Sequence, residues 1–442
     1  MHNLAIALSL KGYNVTGSDD EIFEPAKGRL QKYGLLPDTI GWNPDKIDRS
    51  IDAIILGMHA RLDNPELIRA KELNIKIYSY PEFLYEQSKD KTRIVIGGSH
   101  GKTTITAMII HVLQRCNILC DYMVGAQLVG FEVMVRLSDN APVMVIEGDE
   151  YLTSPIDLRP KFHLYKPTIG IISGIAWDHI NVFPTFDVYV KQFEIFAKMI
   201  SENGAYIYCY DDPVLKQMSE RLKTATKIPY STHPYFIENG ITFLKTEYGD
   251  VPLQIFGKHN LANIGAAMHA CCCAGVSKQD FYRAISSFKG ASNRLELLGK
   301  SDHCVIYKDF AHSPSKLRAT IEAVREQFPD KTLIACMELH TFSSLNKQFL
   351  DQYAGCMDKA DVGYVFFNPS TVEHKKLPPV SPEIIFKSFQ RNDLEVFNSS
   401  TLLKDSLLKI KELNTVFLLM SSGNFSGIDL AELTNNLLLL RR

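Results

Sequence analysis

Apolar residues along the chain alternate between two patterns. Unbroken runs such as Ile94-Val95-Ile96, Val143-Met144-Val145-Ile146 and Ile169-Gly170-Ile171-Ile172 read as strands buried on both faces. Between such runs the apolar positions recur three and four apart, as Ile105, Met108, Ile109, Val112 and Leu113 do, and these predict helices with one buried face. Strand and helix patterns alternate throughout, so the expected class is α/β with parallel sheets. In the first region, residues 2–11 predict a helix, YNVTGSD a strand, AIILGMH another, and IKIYSYPEF a last one. Lys89-Asp90-Lys91 is a short polar bridge to a second region, which runs to about residue 290. SFKGASNRLELLG then leads into a third series, with strands in HCVIYKDFAHSP, TLIACMEL, VGYVFF and TVFLLMSSGNFSG. LLLLRR reads as a final helix end, its arginines suiting the helix dipole. The expected division is 1–88, 89–291 and 292–442.

The first region has one irregularity. A dinucleotide-type α/β unit opens with a strand, then a glycine turn, then a helix. Here the helix comes first, so either the domain is built differently or a strand and its glycine loop belong before Met1.

Composition narrows the function classes. Lys and Arg number 48 against 50 Asp and Glu, a net charge of -2, which gives no footprint for nucleic acid or an anionic membrane. No apolar run reaches the ~18 residues of a membrane span. Met1-His2-Asn3 followed by LAIALSLKGYNV lacks a basic segment and a small-residue cleavage site, so no signal peptide is expected. The nine cysteines include no CxxC pair, which suits a reduced, cytoplasmic protein. Cys271-Cys272-Cys273 lies in an apolar helical pattern and is expected in a core.

The chemistry begins at RIVIGGSHGKTTITAMIIHVLQ, residues 93–114. A buried-type strand enters a glycine turn, and Gly101-Lys102-Thr103-Thr104 opens a helix. Short side chains let backbone N–H groups converge, and the helix N-terminus adds positive potential, which suits phosphate. Lys102 is placed to reach terminal phosphates and Thr103 to offer its hydroxyl to Mg²⁺. The usual pattern has glycine five positions before Gly101. This chain has Ile96 there and glycines at Gly97 and Gly98 instead. A second cluster, VMVIEGDEY, ends an apolar strand in Glu147, Asp149 and Glu150, where α/β sheets hold ligands and carboxylates hold Mg²⁺. A third, SGIAWDHINVF, puts Asp178 and His179 after another buried strand.

Taken together, GGSHGKTT, EGDEY, DHINVFP, GKHNLANIGAA, NRLE, KDFAHSP and MSSGNFSG resemble the Mur ligase family in order and spacing, from Met1 to the last strand. That family joins an amino acid or peptide to a UDP-linked muramoyl carboxylate with ATP, in three domains that bind UDP-sugar, ATP and the incoming amine. The resemblance implies a Rossmann-like first domain, apparently lacking its first strand, a central P-loop ATPase-type domain and a Rossmann-like third. DLRPKFHLYKP and DHINVFP look more like the family's recycling branch, which attaches L-alanyl-γ-D-glutamyl-meso-diaminopimelate to UDP-N-acetylmuramate, than like the branch that adds L-alanine. Roles carry over by position. Gly98, Ser99, His100, Gly101, Lys102, Thr103 and Thr104 would form the ATP loop, with Asn260, Asn263, Arg294 and Asp309 as further nucleotide contacts. Lys102, Glu147 and His179 would be catalytic, and Thr103, Glu147 and His179 would hold metal. Ser18, Asp19, His59 and His312 would touch substrate.

Some patterns do not match. The family's N-terminal glycine turn would precede Met1. Lys191 falls too near His179 to be the carbamylated lysine some members carry. DNPE at 63–66 is similar to a diaminopimelate-selecting motif but sits in the wrong domain, and MELHTFSSLN at 337–346 is the expected peptide region. Three other readings stay open: the L-alanine-adding ligase, a folylpolyglutamate-type ligase, and an inactive ATP- or UDP-sugar-binding protein. A monomer or weak homo-oligomer is expected.

Overall fold

The computed structural model describes every residue except 129, 155, 178–181, 224–225, 292 and 442. The chain forms two compact units, Met1–His233 with Ala262–Ser287, and Pro234–Leu261 with Phe288–Arg442.

A seven-stranded sheet organises the first unit. Its spatial order is Thr226–Tyr230, Ala205–Cys209, Ile169–Ile172, Thr92–Gly97, Val143–Glu147, Cys120–Met123 and Val135–Arg136. All neighbours are parallel except the last pair. Parallel strands are covered on both faces, which favours near-continuous apolar runs. Ile94, Val95, Ile96, Val145, Ile146, Ile171 and Ile172 are accordingly all buried. From Thr92–Gly97 the chain winds to one side of the sheet. It later returns, and Ile169–Ile172 begins the other side. This reversal lies between Thr92–Gly97 and Ile169–Ile172, and ligands of α/β sheets sit at the carboxyl end of such a point.

Phe162 supports that edge from below. Its ring stacks on Phe196 at 4.7 Å between centroids and meets Phe193 edge-on at 5.4 Å. It also stands 3.2 Å from where a Cβ on Gly97 would lie.

The N-terminal region follows its pattern in part. A helix spans His2–Leu10, and Ala53–Leu56 pairs in parallel with Lys76–Ser79 as a separate two-stranded sheet. YNVTGSD, expected as a strand, is not one. Val15 packs on the core, yet the segment joins no hydrogen-bonded ladder, and alternation without a partner strand makes no sheet. IKIYSYPEF changes to helix at Tyr80. Ser79 Oγ accepts the Glu82 N–H at 3.4 Å, the Glu82 carboxylate accepts the Ser79 N–H at 3.0 Å, and Pro81 suits the first turn. Leu4, Ala7, Leu8, Phe83 and Leu84 share one core with Val95, Met144 and Phe162. Of the three consecutive cysteines, only Cys271 is buried, and Cys273 is exposed because the helix turns it outward.

The second unit holds an antiparallel three-stranded sheet, Tyr235–Glu238, Ile241–Thr246 and Gly249–Pro252. Its larger sheet runs Glu296–Lys300, Cys304–Asp309, Thr415–Met420, Thr332–Leu339, Val362–Phe367 and Leu394–Phe397. The first pair is antiparallel and the rest parallel. The four strands expected in this region are among them. After the last helix, Leu430–Leu439, Arg441 is buried, donating to the carbonyls of Glu412, Leu437 and Ile410, so its role exceeds a dipole effect. Among the described residues no helix is long and apolar enough to cross a membrane.

The packing of Phe162 generates a stability prediction. Phe162→Ala should remove about 3–5 kcal/mol, as emptied aromatic sites do, and lower the first thermal unfolding transition by several degrees. An unchanged melting profile would show that the edge does not rest on this ring.

Candidate active site

Strand Thr92–Gly97 gives way to helix Lys102–Arg115 across only four residues. Two of them must be glycine. Gly98 has φ +126°, and a Cβ there would stand 2.8 Å from the backbone nitrogen of Ser173. Gly101 has φ +78°, and a Cβ there would stand 2.4 Å from Oδ1 of Asn263. Gly101 is also the helix N-cap, and no side chain caps the first turn. Its N–H groups therefore stay turned toward the loop, as anion binding needs. The loop is pinned from the side. Ser99 N–H donates to the Gly174 carbonyl at 2.9 Å, and Ser99 Oγ holds both the N–H and the carbonyl of Ala176 at 2.8 Å. The Ser173 hydroxyl donates to the His100 carbonyl.

The charged groups follow from this frame. Lys102 Nζ donates to the Gly98 carbonyl at 2.6 Å and to Glu150 Oε2 at 2.7 Å. Its position on the loop suggests an exposed side chain, but only 16 % of it is exposed, because Glu150 draws it inward. Burial by itself would lower the Lys102 pKa. Glu150, with Asp149 and Glu147 nearby, outweighs that and holds it above its ordinary value, so the ammonium stays charged. The Thr103 hydroxyl donates to Glu147 Oε1 at 2.7 Å, and Glu147 Oε2 accepts the Gly125 N–H at 2.9 Å. Asp149 pairs with Lys161 at 2.8 Å. Thr104 is buried in the helix.

The sequence-predicted residues thus divide into groups. Gly98, Ser99, His100, Gly101, Lys102, Thr103, Glu147 and Asn263 come together around one loop. Asp178 and His179 lie outside the described residues. In the same unit, Ser18 is half-buried, while Asp19 and His59 are exposed. Lys191 pairs with Glu194 on its own helix.

In the second unit, Asn260 Nδ2 donates to the Phe256 carbonyl at 2.9 Å, which ties down the first turn of its helix. The Arg294 guanidinium lies 4.5 Å from the centre of the Phe310 ring. Asp309 accepts from the N–H groups of Leu295 and Ala311 at 2.8 and 2.7 Å, and so fixes the turn beyond its strand. His312 Nδ1 donates to the Phe310 carbonyl at 2.7 Å. Glu338, buried at the end of Thr332–Leu339, accepts from Ser421 and from the Phe425 N–H, and stands 3.7 Å from His340. The MELHTFSSLN and MSSGNFSG stretches therefore meet at one sheet edge.

Residue-by-residue reading overlooked the link between Glu150 and Tyr189. Glu150 was visible as part of an acidic run, but Tyr189 lies 39 positions away in an ordinary amphipathic helix and carries no signal. A cavity of about 490 Å³ lies elsewhere, lined by Ala7, Leu10, Tyr122, Phe131 and Arg136 among others. Convergent polar groups mark a reactive site better than volume does, and that cavity has none of those described above.

Three family models match the chain: "Mur ligase family, catalytic domain" at residues 1–92, "Mur ligase middle domain" at 96–271, and "Mur ligase, glutamate ligase domain" at 293–423. The UDP-N-acetylmuramate–L-alanine ligase of Caldicellulosiruptor bescii is 32% identical over 82% of this chain and 80% of its own. The UDP-N-acetylmuramate–L-alanyl-γ-D-glutamyl-meso-2,6-diaminoheptandioate ligase of Escherichia coli is 27% identical over 97% of this chain and 94% of its own. Among solved structures, the UDP-N-acetylmuramate–alanine ligase of Thermotoga maritima superposes with a TM-score of 0.70 at 20% identity, covering 99% of this chain and 95% of that one. The fold is thus the three-domain one of these ligases.

The buried pair yields a prediction. Lys102→Ala strips Glu150 of its cation inside the protein, so it should lower the melting temperature as well as abolish turnover, with a cost of about 3–5 kcal/mol. The double variant Lys102→Met, Glu150→Gln should regain most of that stability while staying inactive. A single variant as stable as the wild type would contradict the pair's role.

Proposed function

The chain belongs to the Mur ligase family, whose members are ATP-dependent ligases forming amide bonds, and from that premise we propose that it joins L-alanyl-γ-D-glutamyl-meso-diaminopimelate to UDP-N-acetylmuramate in peptidoglycan recycling. The observation that carries the ligase chemistry is the grouping of Lys102, Thr103 and Glu147 around an uncapped helix N-terminus. The tripeptide reading is supported by similarity to the Escherichia coli ligase over 97% of this chain, and by DLRPKFHLYKP. In the structure this stretch forms the strand Asp157–Pro160 and a short helix whose Lys161 pairs with Asp149, beside the acidic strand end. The higher identity to an L-alanine ligase over 82% of the chain favours the second reading, addition of L-alanine.

The reaction has two stages. The lactoyl carboxylate attacks the γ-phosphorus of ATP, the bond to the bridging oxygen breaks, and ADP leaves an acyl phosphate. The peptide amine then attacks the acyl carbon, phosphate departs, and a proton leaves the nitrogen to give the amide. Two anions must meet in the first stage. Lys102 and the uncapped N–H groups at the start of the helix hold the phosphates and offset their charge. Thr103 and Glu147, oxygen donors within 2.7 Å of each other, suit Mg²⁺, which would supply further positive charge at the phosphates. Among the described residues no group of three His, Cys, Asp or Glu side chains forms a metal cage. That fits a metal held through one carboxylate, water and phosphate. His179 is assigned to a second metal, and Asn260, Asn263, Arg294 and Asp309 to the nucleotide, on the resemblance. Ser18, Asp19 and His59 are assigned to UDP-sugar and His312 to the incoming peptide, with 1–88, 89–291 and 292–442 as the three domains.

One assay separates the two substrate readings. With ATP, Mg²⁺ and UDP-N-acetylmuramate present, the tripeptide should drive phosphate release at least a hundredfold faster than L-alanine, since a site shaped for a long charged peptide positions free alanine poorly. Release driven by L-alanine with the tripeptide inert would establish the alanine-adding reading instead.

A further inference from the structure

Glu150 is needed neither to turn the loop nor to grip phosphate, yet only 1 % of its side chain is exposed, and it faces Lys102 directly. Its Oε2 accepts from Nζ at 2.7 Å, and its Oε1 accepts from the Tyr189 hydroxyl at 3.2 Å. The Tyr189 oxygen lies 3.1 Å from Ser99 Oγ, which accepts the Ala176 N–H at 2.8 Å and shares its one proton between Tyr189 and the Ala176 carbonyl. The path from Lys102 through Glu150, Tyr189 and Ser99 is continuous and ends one residue before Trp177. Tyr189 is fully buried, so the path is shielded from water.

A carboxylate oxygen offers Lys102 what a phosphate oxygen offers, a negative acceptor at hydrogen-bond range. Both on one ammonium would stand a few ångströms apart in a low-dielectric place and repel. We propose that Glu150 is a resident substitute for phosphate: it occupies Lys102 while the loop is empty, yields it when ATP arrives, and passes that exchange through Tyr189 and Ser99 to the segment ending at Trp177. The inference rests on the nucleotide reading of the loop. An internal competitor lowers apparent affinity by the fraction of molecules in which it is engaged, so removing it raises affinity.

The test uses the whole chain and the protein's own reporter. The sequence has two tryptophans, and Trp42→Phe leaves Trp177, which is 44 % exposed and donates to the Phe183 carbonyl at 3.0 Å. ATP with Mg²⁺ is titrated by calorimetry and by Trp177 emission. Wild type should bind and change its emission. Glu150→Gln should bind ATP about tenfold tighter. Tyr189→Phe should still bind ATP by calorimetry but lose the emission change. Should Glu150→Gln fail to fold, Glu150→Asp is one methylene too short to reach Lys102 and should tighten binding in the same way. Equal or weaker binding in the Glu150 variant that folds would overturn the exchange. A full emission change in Tyr189→Phe would overturn the relay. A wild-type chain that does not bind ATP would overturn the nucleotide reading itself.

Discussion

A buried strand must become a helix within four residues while its backbone N–H groups stay turned outward, and the rest of the first unit serves that requirement. An L side chain at Gly98 would run into Ser173, and one at Gly101 into Asn263. These neighbours are not accidental obstacles. Ser173 follows the adjacent strand, and Asn263 projects from a helix over 160 positions downstream, so the turn is stable only when the whole unit has assembled around it. Phe162 closes the space beneath Gly97, which ties the same turn to the aromatic core.

Electrostatics then follows from geometry. A strand end that gathers Glu147, Asp149 and Glu150 next to a helix N-terminus would be costly if its charges faced one another alone. Each instead has a donor: Thr103 and the Gly125 N–H for Glu147, Lys161 for Asp149, and Lys102 for Glu150. A phosphate loop that prepares for a polyanion must balance these carboxylates while empty, and Lys102 does so from inside the loop rather than from its surface.

What was legible in the sequence was whatever local spacing encodes. Gly101-Lys102-Thr103 and Glu147 could be picked out because each sits at a fixed offset from the end of an apolar run. The central strands could be picked out because strands covered on both faces read as near-continuous apolar runs. YNVTGSD misled because alternation describes a strand's faces but not its partner. IKIYSYPEF misled at its end because Ser79 and Glu82 form a capping box inside an apolar stretch. The contact of Asn263 with Gly101 and the pairing of Glu150 with Tyr189 are tertiary, and no offset along the chain announces them.

The central claim is that this ligase activates a carboxylate by phosphorylation. It is tested most directly by labelling both lactoyl carboxylate oxygens of UDP-N-acetylmuramate with ¹⁸O and following the released phosphate by ³¹P NMR during amide formation. The account predicts one ¹⁸O in each phosphate, because the oxygen that attacks phosphorus departs with it. Phosphate free of ¹⁸O, with the oxygen lost from the carboxylate found instead in AMP or water, would contradict it.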